Sequence, residues 1–104
     1  MTNVVRFDPA HPVVGTWVTM EDDANAEFTV SAKAGSFAVT GRDQSDGEEF
    51  LISDVLWDGE ALHFTSLMPS TGHRVKHVFR MSPSKQYVEH EYTLFEVWKR
   101  KESK

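Results

Sequence analysis

Cysteine is absent from the 104-residue chain. That excludes disulfides and thiolate metal sites, and leaves packing and sheet hydrogen bonds to hold the fold. No apolar run approaches the ~18 residues that a membrane-crossing helix needs. Residues 1–9 carry neither the basic n-region nor the apolar h-region of a secretory leader, so the expected location is the cytoplasm and no membrane partner is expected. A surplus of positive charge is also missing. The net charge is −5, which argues against nucleic-acid binding, since that rests on neutralising phosphates. The chain has no G-x-S-x-G nucleophile elbow, no phosphate-binding glycine loop and no calcium loop of alternating oxygens. No cofactor and no metal are therefore expected. The carboxylate runs Glu21-Asp22-Asp23 and Glu48-Glu49 read as solvated turns.

What the chain does hold is aromatic. Seven Phe, three Trp and two Tyr make up 12% of the residues, enough for a true core at roughly 150–250 Å² buried per ring. Charge is unevenly placed: residues 1–60 have three Lys/Arg against twelve Asp/Glu, and residues 61–104 have eight against four. An acidic part and a basic part of one chain offer a way for two copies to orient against each other.

Gly and Pro fall between short apolar segments, and the segments alternate. Residues 1–12, with Pro9 and Pro12, read as an irregular arm; residues 13–101 read as a single domain. Val13–Met20 is the first strand. Ala26, Phe28, Val30 and Ala32 share one face of the second, and Phe37 and Val39 one face of the third, a period of two that marks half-buried strands. Gly41–Glu48 reads as a loop. Over Glu49–Trp57 the apolar parity changes, from Phe50 and Ile52 to Val55 and Trp57, which predicts a bulge near Ser53-Asp54. Asp58-Gly59 predicts a type I′ hairpin turn into Glu60–Ser66, and Met68–Gly72 turns the chain again into His73–Met81. After the Ser82-Pro83-Ser84 turn, residues 86–100 allow three readings: one bent strand, two strands, or a helix with Pro83 at its first position. Strand is favoured, because Glu91 would interrupt the apolar face of the helix. The spacing predicts an all-β, antiparallel up-and-down meander of seven or eight strands closing into a small barrel, with a two-sheet sandwich as the alternative.

Gly15-Thr16-Trp17 in the first strand and Trp98-Lys99-Arg100 near the end resemble the calycins, the lipocalins and intracellular fatty-acid-binding proteins. There a G-x-W opens the barrel, and a cation from the closing strand covers the Trp. The resemblance implies a reduced calycin-like barrel in which Gly15, Trp17, Lys99 and Arg100 are structural closure residues. A cation over an indole face is worth about 0.5–2 kcal/mol.

The histidines are the polar residues of interest. His77 lies between Val75 and Phe79 on an apolar face, and His90 shares a parity with Val88 and Tyr92. Two imidazoles and a phenol aimed into an apolar interior would anchor a polar group, transfer protons or hold a metal, although no third metal ligand has recognisable spacing. The leading expectation is non-catalytic binding of a small hydrophobic or amphipathic molecule. Trp17, Phe28, Phe37, Phe64, Phe79 and Tyr92 would form its wall, and His77 and His90 its anchors. The alternatives are a homo-oligomeric interaction module, a homodimer being its simplest form, and an enzyme using the histidine pair.

Overall fold

The computed structural model describes residues 11–20 and 25–102. Their architecture is all-β, with seven antiparallel strands in chain order: β1 (Gly15–Val18), β2 (Ala26–Lys33), β3 (Ser36–Asp43), β4 (Leu51–Trp57), β5 (Ala61–Leu67), β6 (Arg74–Met81) and β7 (Val88–Phe95). They form a three-stranded sheet, β1-β2-β3, and a four-stranded sheet, β4-β5-β6-β7. The sheets are joined by chain continuity and by an isolated antiparallel bridge between Arg42 and Glu49. Each ladder links strands that are neighbours in sequence, so the meander is as expected. Among the described strands β1 and β7 do not pair, and no closed barrel forms.

The apolar parity read from sequence sets the core. Val13, Phe28, Val30, Phe37 and Val39 from the smaller sheet and its lead-in pack on Leu62, Phe64 and Phe79 of the larger one. The rings interlock edge to face, with Phe28–Phe64 centroids 5.0 Å apart and Phe64–Phe79 5.2 Å apart. β3 runs three residues beyond the expected Thr40 because Gly41 is a pairing position, not a loop residue. Gly41 lies opposite Phe28, and a Cβ there would sit 2.6 Å from the Phe28 ring. The missing side chain leaves the space in which that ring lies.

The bulge falls where the parity change put it. The β4–β5 register shifts between Ser53 and Leu56, with Asp54 at a φ of 55°. The following turn differs from the expected type I′. Asp58 N–H bonds to the Ala61 carbonyl at 3.1 Å, so Gly59 and Glu60 are the central residues, and of the two only Gly59 has a positive φ, 98°. Positive φ at the first central residue alone is the type II′ pattern. The Asp58 carboxylate secures the turn by accepting from the Glu60 and Ala61 amides, both at 2.8 Å.

Residues 86–100 contain no helix and a single strand. Ser82 and Tyr87 close a turn by a 2.9 Å backbone bond, with Lys85 in the left-handed region at φ 62°. β7 then runs to Phe95, and residues 96–102 continue outside any strand with their side chains exposed.

Candidate functional site

β5, β6 and β7 are in register so that Phe64, His77 and Tyr92 are cross-strand partners, while His90 pairs with Phe79 one step along. These side chains share the face that meets the smaller sheet, and they form a stacked column. Phe64 lies on His77 at 4.6 Å, His77 on His90 at 5.1 Å and His90 on Tyr92 at 5.2 Å, with interplanar angles of 19°, 15° and 22°. Phe28 meets His77 edge-on at 4.8 Å. The column runs from buried to open: Phe64 is 2% and His77 6% exposed, whereas Tyr92 is 65% exposed. Phe28 of β2 covers Phe64 of β5 and Phe79 of β6; on β7, Val88 joins the core while His90, Tyr92 and Leu94 are left exposed.

A hydrogen-bond chain threads the column. Ser66 Oγ is 2.7 Å from His77 Nε2, and His77 Nδ1 is 2.8 Å from His90 Nε2. Burial, and then the charge of His90, lower the His77 pKa to about 3; burial lowers that of His90 as well. Both imidazoles are therefore neutral at physiological pH. The donor and acceptor roles follow the imidazole tautomers. In the sense that uses the buried Ser66 hydroxyl as a donor, Ser66 donates to His77 Nε2, His77 Nδ1–H donates to His90 Nε2, and His90 carries its proton on Nδ1. That N–H belongs to the half-exposed end of the column, beside the Tyr92 ring. The order hydroxyl–imidazole–imidazole matches that of a nucleophile, base and orienting group, but the hydroxyl here is buried at the closed end.

The structure divides the residues expected to bind a ligand. Phe28, Phe37, Phe64 and Phe79 are buried against one another and form core, not the wall of a hollow interior. Trp17 is half-buried, packs on that core and donates its indole N–H to the Val13 carbonyl at 2.9 Å. His77 is buried, and His90 and Tyr92 reach the surface. The closure expected from Lys99 and Arg100 does not occur: both are exposed beyond β7, and Trp98 is 86% exposed. Without a β1–β7 ladder, nothing brings them to Trp17. The ring that gathers cations is Phe95, with Arg74 at 4.5 Å and Lys76 at 5.8 Å, through the cross-strand pairing of Arg74 with Phe95.

Several contacts lay outside the sequence reading. His11, assigned to the arm, puts its ring against Phe37 and Trp57 at 5.0 and 4.9 Å, and its Nδ1 accepts the Val13 amide at 3.1 Å. Glu48 is no solvated turn residue. Its carboxylate accepts from the Ser70 amide and hydroxyl at 2.9 and 2.6 Å, tying two loops together. Residues 21–23 and the arm's first ten residues lie outside the described residues. His63 Nε2 lies 2.6 Å from Asp58, and the Glu60 amide, His63 and the Ala61 amide hold the Asp58 pKa down to about 2.

Two shallow grooves open on outer faces. One of about 470 Å³ lies at the β3–β4 seam, beside Arg42 and Glu49. The other, of about 510 Å³, lies among Leu56, His63, Lys76 and Glu91. Among the described residues no three His, Asp or Glu side chains converge as a metal set, and no helix is long and apolar enough to cross a membrane. No family model, curated protein or solved structure matches the chain.

Proposed function

We propose that this domain is a non-catalytic binding module on an opened calycin-like meander, and that it takes a small amphipathic molecule on the bare inner face of β7. The observation that carries the reading is the stacked column with its exposed end. Tyr92 and Leu94 offer apolar surface there, and His90 offers a single oriented donor. The ligand this fits has a flat or aliphatic body and one hydrogen-bond acceptor, a carbonyl or carboxylate oxygen. A neutral imidazole N–H in a half-buried setting favours an acceptor without requiring charge, and the buried part of the column holds the ring in place at no further entropic cost on binding. The consecutive order of the strands and Gly15-x-Trp17 in β1 support the calycin-like part of the reading, with the interior filled and the binding surface moved to its open side.

The test is a titration with a medium-chain fatty acid and, separately, its methyl ester, followed by the His90 imidazole nitrogen shifts. Both probes should bind, since both present a carbonyl oxygen, and both should move the His90 Nδ1 resonance. His90→Phe should weaken binding about tenfold, the worth of one oriented hydrogen bond. Absence of any shift at millimolar probe would end the reading.

A further inference from the structure

Of the four sheet edges, β3 and β4 meet beside the Arg42–Glu49 bridge, and the outer two, β1 and β7, differ in kind. β1 is four residues long and offers little to pair with. β7 is eight residues, Val88–Phe95, and holds unbroken register with β6 from Met81↔Val88 to Arg74↔Phe95. Its far side has no strand among those described. Proteins blunt such edges with charged side chains, Pro, bulges or brevity; Val-Glu-His-Glu-Tyr-Thr-Leu-Phe carries two glutamates but no Lys, Pro or bulge. The exposed large apolar residues also gather here, with Tyr92, Leu94 and Phe95 in β7, and Val97 and Trp98 just past it at 92% and 86% exposure.

We infer that β7 is a homodimer edge, pairing antiparallel with β7 of a second copy about a two-fold axis through Tyr92. The occupant follows from symmetry and charge. An antiparallel pair related by a two-fold axis keeps like faces together only if the axis passes through a residue. An axis through Glu91 sets two carboxylates opposite each other, which is destabilising. An axis through Thr93 shortens the ladder. An axis through Tyr92 places Tyr92 opposite Tyr92, His90 opposite Leu94 and Glu91 opposite Thr93, with no like charges facing. Glu91 is in addition already ion-paired to Arg80, so the edge meets its copy with reduced repulsion. Val97 and Trp98, 92% and 86% exposed, add apolar surface beside the ladder toward the ~800 Å² per partner typical of a stable interface. The pairing uses the strand edge and not its inner face, so it does not rest on the ligand reading, and it would bring two bare faces side by side in one eight-stranded sheet.

Because the chain has no cysteine, single cysteines report the register. Facing Cα atoms across an antiparallel pair are about 4.5–5.5 Å apart, within the disulfide range of roughly 4.4–6.8 Å. Residue 89 would stand about 20 Å from its mate at ~3.4 Å per residue. Under mild oxidation Tyr92→Cys should form a covalent dimer at least tenfold faster than Glu89→Cys. Sedimentation equilibrium of the unmodified protein should give twice the 11.8 kDa chain mass at high concentration. A mass of one chain up to about 1 mM, or equal cross-linking from both positions, would overturn the inference. No fatty-acid binding by the unmodified protein, with cross-linking of the Tyr92→Cys variant intact, would overturn the ligand reading alone.

Discussion

His77 shows how one residue can be legible in type and illegible in role. Its place between Val75 and Phe79 put it on the inner face, and it is there, 6% exposed. The alternation does not disclose that Ser66 and His90 satisfy both of its nitrogens, because those partners are set by cross-strand register. The depressed pKa has a consequence for stability. The unfolded chain protonates this histidine near pH 6.5, while the folded chain resists until about pH 3. Stability is therefore complete above pH 6.5 and falls as the pH drops toward 3, because the unfolded state binds the extra proton. Between pH 6.5 and 5 the loss is on the order of 1–2 kcal/mol for one such group. Urea unfolding across that interval should show a smaller slope for His77→Gln than for the parent. Gly41 makes a second prediction. Gly41→Ala drives a methyl into the Phe28 ring and should cost about 1–3 kcal/mol, as overpacking does, visible as a lower urea midpoint with unchanged m-value. Reading Gly41 as a loop residue was the natural error, since a glycine that makes room for a neighbouring ring has the same letter as one that turns the chain. Trp17→Phe keeps the packing but leaves the Val13 carbonyl without its indole donor; the expected cost is about 1 kcal/mol.

At the scale of elements the alternation was a sound guide wherever one face is buried. β2, β4, β5 and β6 appear where the period of two put them, β3 runs on past Thr40 to Asp43, and the bulge at Ser53-Asp54 followed from a parity change alone. The errors gather where burial does not discipline the pattern. β7 alternates well, yet most of its residues are exposed; helix and strand could be separated only by the misplaced Glu91. The turn before β7 ends on Lys85 with φ 62°, a conformation that costs an L-residue about 1–2 kcal/mol and glycine almost nothing. Lys85→Gly should raise stability by roughly 0.5–1 kcal/mol, less than the strain released because the unfolded chain also gains entropy. Equilibrium denaturation would read this, and an unchanged midpoint would mean that the turn relaxes in solution.

For the whole molecule, class and connectivity were readable and closure was not. A barrel and an open pair of sheets share strand count, order and alternation; they differ in whether the first and last strands meet, and no local pattern encodes that. Trp17 does lie in β1, but Lys99 and Arg100 are exposed beyond β7, and the cations that cover a ring are Arg74 and Lys76 over Phe95. The radius of gyration, 15.9 Å, exceeds the ~13 Å of a compact chain this long, and residues 96–102 are exposed and outside any strand. Removing residues 97–104 should shift the dilute protein's thermal midpoint by no more than about 2–3 °C, because exposed segments contribute little to global stability. A calorimetric shift of ten degrees would place the segment in the folded core.

The all-consecutive pairing of the strands also has a kinetic meaning. Each ladder joins neighbours along the chain, so each hairpin closes a loop of only a few residues, at small entropic cost. Two meanders can therefore zip up separately before docking through Phe28, Phe64 and Phe79. For an all-β domain this chain should refold quickly, within milliseconds and not seconds, because no strand must wait for a distant partner. A barrel that needed β1 to find β7 would have lost that advantage.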